Sequence, residues 1–525
     1  MSNHRRVFNR GATRLWRAGA APLIALAVLG SAAVANAQTL SVAEVVSRAA
    51  ARNSSLRAAL LDARSAHYAV AAERGARDPL LVATLQGEHS ETITRPGLSG
   101  VASSADAASR SSQNGLSADA AVNYTTDVGT ELELGTRTGT LWNSTTWTGA
   151  GPLPGNLSVG PTYSAQAYAS VRQPLLRGAG KDAQLAPLDQ ARAGASAADS
   201  RQRETASQTA LDVLSAYWEL WYAERALAVQ EQAREVAERL VSDAKVRATT
   251  LGTGSAVDVL QFQTNLASIA EALSQARADR QARAIELGRV LGMGPVEAEG
   301  LGAEGDPPDF GPVPPVDTLA TDITRDSPAL AALRADLESA RVRARAARDT
   351  DQLRVDLFAN GSVGTIWDQG NDFSLTGGRP TFGVIGGVEL ELPLGSGRYP
   401  AAAAAARADL EAAEARYQAE VDGARARVGS LAVNARAASE QVDLATETAT
   451  AATQLAEAER QRLMLGTTTS RDVVSAEQTS REAELRRLRA VVSQASTRLS
   501  LEHTAGVLLD RYATALAGAP NGRSS

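Results

Sequence analysis

Two aspartates occupy the same short frame in this chain. Asp258 lies in LGTGSAVDVL (251–260) and Asp472 in LGTTTSRDVV (465–474), 214 positions further on. A glycine stands six residues before each, Gly252 and Gly466, and a hydroxyl three residues before each, Ser255 and Thr469. A hydroxyl followed three residues later by a carboxylate closes a helix N-terminus through reciprocal hydrogen bonds, and negative charge is favoured in a helix's first turn. Capping alone would therefore account for both carboxylates, and the glycines suit the left-handed residue that ends a preceding helix.

Other chemistry is hard to build from these residues. There is no cysteine, which removes disulfides, thiol catalysis and thiolate-held metal. His4, His67, His89 and His503 stand alone, with no pair at metal-ligand spacing. The segment GAGKD (178–182) lacks the first glycine of a phosphate loop and has Asp182 where a magnesium-holding hydroxyl belongs. No G-x-S-x-G elbow occurs, and pairs such as Glu482 with Arg486 are solvated-face helix charges. No enzyme activity, cofactor or metal is expected.

The elements that would hold the two aspartates come in duplicate. RNSSLRAALLDAR resembles RDSPALAALRADL, with Leu56 and Gly87 matching Leu330 and Gly361; Pro174, Leu175 and Gly178 match Pro393, Leu394 and Gly397. The order helix, strand hairpin, long helix, glycine turn, helix repeats, and such duplication governs every other inference. Helical spacing runs from about 181 to 249, with Leu211, Leu214, Trp218 and Trp221 on one face. It runs again from 399 to 465, where Leu410, Tyr417, Val421, Val428, Ala435 and Val442 step at coiled-coil intervals. Each long helix spans roughly 100 Å. Shorter helices are expected near 41–76, 258–292, 329–350 and 472–509, each pair stacked end to end beside a long one.

Strands of bilayer length alternate apolar and polar residues. Tyr163, Ala165, Ala167, Ala169 and Val171 oppose Ser164, Gln166, Tyr168, Ser170 and Arg172. Leu353, Val355, Leu357 and Ala359 form one such face, and Phe382, Val384, Gly386, Val388 and Leu390 another. Two main strands per half give four per chain. Four cannot close a barrel, and an open edge cannot sit in lipid, so several chains must share one.

Composition agrees with a long helical assembly. The chain is 44% hydrophobic but only 4% aromatic, so Ala, Leu and Val carry the apolar count. Residues 1–37 carry five arginines, an apolar stretch and the small-x-small site ANA, and are expected to be a cleaved secretory signal. Without it, 48 basic residues face 59 acidic ones, which argues against nucleic acid as a partner. Beyond it there is no apolar run long enough for a transmembrane helix.

These repeated motifs, with RQPLLRG and LELPLGSG closing the hairpins, resemble the TolC family of outer-membrane channels along the whole mature chain. The resemblance implies an α+β membrane protein: a homotrimer with a twelve-stranded barrel, four strands per protomer, continued into the periplasm by a coiled-coil helical barrel. It implies a passive exit duct of an efflux pump or type I secretion system, with a periplasmic adaptor and an inner-membrane pump as partners. The helix-turn tips, Leu251, Gly252, Thr253, Leu465, Gly466 and Thr467, would dock the adaptor. Asp472 would line the periplasmic entrance, three copies forming a carboxylate ring that favours cations, with Asp258 its equivalent. The family's second acidic residue is Ser475 here, and its latching tyrosine and arginine are Leu463 and Thr468.

The expected organisation is a first repeat over 38–300, a Pro/Gly-rich equatorial linker over 301–328, a second repeat over 329–510 and a disordered tail from 511. The first hairpin holds about 55 extra residues, including LSADAAVNYTTDVGTELELGTRTG, itself a hairpin pattern that alternates from Leu116 to Tyr124 before a turn near Asp127; these are expected to form an extracellular extension and loop, since a pair joining the barrel would give eighteen strands where the resemblance implies twelve. A periplasmic adaptor would show one helical hairpin with small β domains, and a structural coiled-coil envelope protein would not need matched glycine turns.

Overall fold

A computed structural model describes residues 38–94, 108–148, 155–249, 255–367, 379–392 and 397–512. The expected signal segment, the turn bearing Leu251, Gly252 and Thr253, and residues 513–525 lie outside the described residues.

The first half opens with β1 (Gln38–Leu40), α1 (Val42–Arg52) and α2 (Ser54–Gly75). Four strands follow, β2 (Leu80–Thr94), β3 (Ala108–Thr125), β4 (Glu131–Thr148) and β5 (Asn156–Pro174). After α3 (Lys181–Gln184) come the 64-residue α4 (Ala186–Thr249), then α5 (Ala256–Val290) and α6 (Pro295–Ala298). The connector carries β6 (Leu301–Ala303) and α7 (Val316–Asp326). The second half contains α8 (Pro328–Thr350), β7 (Arg354–Trp367), β8 (Arg379–Glu391), the 67-residue α9 (Arg398–Met464), α10 (Ser470–Ala505) and α11 (Leu508–Arg511).

The short helices stack end to end. Asn53 caps α2 and its Nδ2 donates to the Val290 carbonyl at the end of α5, at 3.0 Å. Both helices lie along α4, α2 at Val70 against Leu188 and Ala195, α5 at Phe262 against Leu240 and Val241. The second half does the same: α8 and α10 flank α9, and Gly506 at the end of α10 abuts the Asp326 carbonyl just before α8. Alanine makes this wall possible. Ala424, Ala432, Ala435, Ala438, Ala449, Ala452 and Ala456 make up most of the buried stripe of α9, small enough to let helices approach closely without losing helix propensity.

The main core sits where the two halves meet. Val213, Leu214, Tyr217, Trp218 and Trp221 of α4 pack against Val45 and Val46 of α1, Leu287 of α5 and Leu499 of α10. Burying each large apolar side chain there stabilises by about 1.5–3 kcal/mol. The Tyr217 hydroxyl ties the surrounding belt, reaching the Leu40 carbonyl at 2.9 Å and the Glu304 carbonyl at 2.6 Å, and accepting the Glu304 N–H at 2.9 Å. Beside it β1 pairs in parallel with β6, Gln38 opposite Leu301.

The linker carries a helix at its end: after Pro315 the apolar residues Leu319 and Ile323 fall on one buried face and make α7. Two expectations need correction. Arg511 is not part of a disordered tail; it ends α11 and pairs with Glu502 at 2.8 Å. The sheet does not hold four strands per chain. Among the described residues it holds six, in the order β2-β3-β4-β5-β7-β8, all neighbours antiparallel. Among the described residues, the extra part of the first hairpin is β3 and β4, eighteen residues each and paired along their full length.

Candidate channel entrance and transmembrane sheet

The far end of the helical wall is built by capping. α9 ends in a left-handed turn at Gly466 (φ 73°), where the Gly466 N–H donates to Leu463 O and Thr467 N–H to Arg462 O. α10 then starts on a reciprocal cap. Asp472 Oδ2 accepts from Thr469 Oγ1 at 2.6 Å and from Thr469 N–H at 3.2 Å, while Asp472 N–H reaches back to Thr469 Oγ1. The Thr469 hydroxyl first, and its N–H second, hold the Asp472 carboxyl below the usual carboxylate range. The carboxylate is exposed, so its charge is also available to a ligand. Thr468 Oγ1 donates to Glu459 Oε2 at 2.7 Å, and Glu459 pairs with Arg462 at 2.6 Å.

Asp258 caps α5 in the same way, accepting the Ser255 N–H at 3.2 Å. Its other oxygen receives the Ser470 hydroxyl at 2.5 Å, which joins the first turns of α5 and α10. Beneath this contact Phe262 and Val473 are buried with Leu240, Val241 and Ala244, and Leu463 packs on their edge. Arg247 Nη1 donates to the Leu463 carbonyl at 3.3 Å. Ser475 is exposed one turn beyond Asp472. Met464 and Leu465 project into solvent at the tip, as do Val257 and Leu260. Ser470, buried and bridging, escaped the sequence reading, because a serine that follows a threonine cap carries no local mark of a partner 212 residues away.

At the opposite end the sheet has two chemically distinct faces. One bears Leu81, Ala83 and Leu85 on β2, Leu116, Ala118, Ala120 and Val122 on β3, and Leu132 and Leu134 on β4. It continues through Ala165, Ala167 and Ala169 on β5, Leu357 and Val363 on β7, and Val384 and Val388 on β8. These apolar side chains lie uncovered: Leu85 is 74% exposed, Leu134 65% and Val384 79%. The other face is polar and internally paired. Arg137 meets Asp119 at 2.9 Å and Tyr168 Oη donates to Asp119 at 3.1 Å; Arg172 meets Asp356 at 3.0 Å and Glu389 at 2.6 Å; Arg354 meets Asp356 at 2.9 Å. The apolar band, from Leu116 to Tyr124 on β3, spans about 25 Å along the strand. That alternation is what a lipid-facing barrel wall with a wet lumen requires.

A bilayer-high sheet, greasy outside and charged inside, carried on a helical wall of roughly 100 Å, defines an outer-membrane channel of the helix-and-barrel class. Residues 319–507, most of the second half, match the family model for outer membrane efflux proteins. Over 89% of its length the chain shares the fold of solved outer-membrane channels. The outer-membrane channel OprN superposes with a TM-score of 0.62 at 16% identity, covering 89% of each chain. The CmeC outer membrane channel of Campylobacter jejuni gives 0.61 at 15% identity, covering 89% of this chain and 86% of its own. The outer membrane protein VceC of Vibrio cholerae gives 0.61 at 16%, covering 89% and 96%. No curated protein matches the sequence significantly. The matched segment and the shared fold both agree with an outer-membrane channel architecture.

Proposed function

We propose that three copies form the outer-membrane exit duct of a pump-driven export system, a passive conduit through which small molecules or exported protein leave the cell. The observation that carries this reading is the uncovered apolar face of a sheet whose opposite face is a paired charge network. Only lipid outside and water inside satisfy both faces at once. Energy would come from an inner-membrane pump reached through a periplasmic adaptor. The docking surface proposed for that adaptor is the helix-turn tip with Leu465, Gly466 and Thr467, where Met464 and Leu465 stand 77% and 78% exposed; Leu251, Gly252 and Thr253 would form the companion turn.

Within the entrance, Asp472 is proposed as the pore-facing carboxylate, since it is exposed and held ionised. Asp258 is proposed as part of the seal between the two turns, because Ser470 occupies one of its oxygens. Thr468, Leu463 and Ser475 stand around this entrance in place of a stronger latch.

The test is single-channel conductance of the purified protein in planar bilayers, wild type against Asp472→Ala. A cation-preferring conductance that loses its preference in the variant supports the carboxylate ring. Conductance with unchanged selectivity keeps the channel and returns Asp472 to capping alone. A protein that stays soluble without detergent and conducts nothing overturns the proposal.

A further inference from the structure

The six strands carry a consequence for the width of the duct. In the antiparallel order, β2 and β8 are the two open edges, and with an even strand number they run in opposite directions. The β8 edge of one copy therefore meets the β2 edge of the next in antiparallel sense, and a ring of copies closes without a parallel seam. We propose that the chain closes as an eighteen-stranded barrel, six strands from each of three copies, in place of the twelve that the family resemblance implies. The proposal rests on the trimeric channel reading above.

Three observations make β3 and β4 part of the membrane wall and not an extension above it. Their apolar residues share the band of their neighbours: Val122 lies between Leu81 and Leu134, Ala120 between Ala83 and Thr136, and Ala118 between Leu85 and Thr138. Their charged residues share the polar face, where the Asp119–Arg137 pair is continued onto β5 through Tyr168. The turn that joins them, Thr126–Thr130, is seated at the helix end of the sheet. Gly180 N–H donates to the Val128 carbonyl at 3.0 Å, and Arg77 pairs with Asp127 at 3.0 Å. Gly129, at φ 89°, lies so close to the strand-to-helix turn that an added Cβ would stand 2.6 Å from the Gly178 carbonyl. A hairpin whose turn is fixed at the helix junction must run through the whole height of the bilayer. Only its far part, polar on both faces from Gly115 back to Ser109, stands above the apolar band beside Trp142–Trp147 of β4.

Barrel diameter grows roughly linearly with strand number, so eighteen strands give about 1.5 times the diameter of twelve. At ~4.8 Å between strands and a tilt near 40°, the backbone-to-backbone width rises from about 24 Å to about 36 Å. Such an exit does not limit the cargo; size selection falls to the helical tip.

The chain has no cysteine, so single-cysteine variants report cleanly. The trimer is reconstituted in phospholipid vesicles carrying Ala118→Cys, Ala120→Cys, Thr136→Cys or Thr138→Cys on the apolar face, or Ser117→Cys or Arg137→Cys on the polar one. A charged, membrane-impermeant thiosulfonate should react about tenfold more slowly with the first four than with the last two, because lipid shields alternate positions. A fluorophore on the first four should be quenched by nitroxide-labelled lipid. Equal aqueous reaction at all six, without lipid quenching, puts the hairpin outside the bilayer and overturns the eighteen-strand barrel while the channel stands. Absence of an SDS-resistant, heat-dissociable trimer from the cysteine-free parent removes the trimeric reading itself.

Discussion

Placing an arginine at Ala167 separates the membrane sheet from any soluble one. Ala167 lies on β5 between Thr136 and Val363, midway along the apolar stretch from Tyr163 to Val171. That stretch is about 27 Å along the strand and roughly 20 Å along the normal at a 40° tilt, so position 167 sits about 10 Å from either interface. In the proposed trimer an arginine there is at the midplane, where lipid-facing charge costs about 2–4 kcal/mol per copy, or about 6–12 kcal/mol for three. Gln166, its neighbour, lies on the polar face opposite Arg137 and Gly364. Gln166→Arg should therefore cost little beyond local repulsion from Arg137. The assay is folding from urea into lipid vesicles, followed by the fraction of SDS-resistant trimer. At about 1.4 kcal/mol per tenfold, Ala167→Arg should reduce folding equilibrium roughly 30-fold or more per copy. Equal effects of the two substitutions would refute the assignment of faces, and with it the reasoning from alternation to membrane.

Tyr217→Phe removes the hydroxyl bonded to Leu40 and Glu304 and should destabilise by about 1–3 kcal/mol, read as a lower urea midpoint with faster hydrogen exchange at 38–40 and 301–304. Burial pushes the Tyr217 phenol up to about 12 from 10.0, so its contribution is present below pH 10 and is lost as pH rises from there through 12; the phenylalanine variant should lose that alkaline dependence. The Asp472 carboxyl is depressed in the folded chain, so the cap is fully formed above its ordinary value of 3.8 and weakens as pH falls below it. Exchange protection at 469–473, corrected for intrinsic rate, should drop in that acid range in wild type and not in Asp472→Asn. Gly466→Ala and Gly129→Ala impose similar left-handed strain, about 1–2 kcal/mol, but only Gly129 also faces a carbonyl within 2.6 Å of the new atom. The melting temperature should fall further for Gly129→Ala; equal shifts would show that the junction yields freely.

Much of this architecture was legible because it is periodic. The heptads from Leu410 to Val442 give the coiled-coil spacing of α9, and the alternation from Tyr163 to Val171 gives both faces of β5 without any knowledge of partners. The extra hairpin was legible as alternation from Leu116 to Tyr124, but its place in the sheet was not. On β4 the apolar face is carried at its centre by Thr136, Thr138 and Thr140, whose hydroxyls read as polar although they suit a strand facing apolar neighbours. The far part of β3, from Ser109 to Gly115, is polar on both faces and reads as loop. At the entrance, Ser255-x-x-Asp258 and Thr469-x-x-Asp472 announced the caps. The bridge from Ser470 to Asp258 depends on how two distant turns meet, which no local pattern encodes.

The pairing of β5 with β7 fixes an order of events in assembly. Tyr163 meets Trp367 across 204 positions of chain, and Gln38 meets Leu301 across 263. If the chain emerges from its amino end, β2 to β5 can zip as a local meander, yet β5 must then wait with a bare edge while α4, α5 and the connector emerge. Closing so long a loop is entropically slow, and a waiting strand edge recruits other chains. The hairpin that widens the sheet thus also enlarges the vulnerable intermediate.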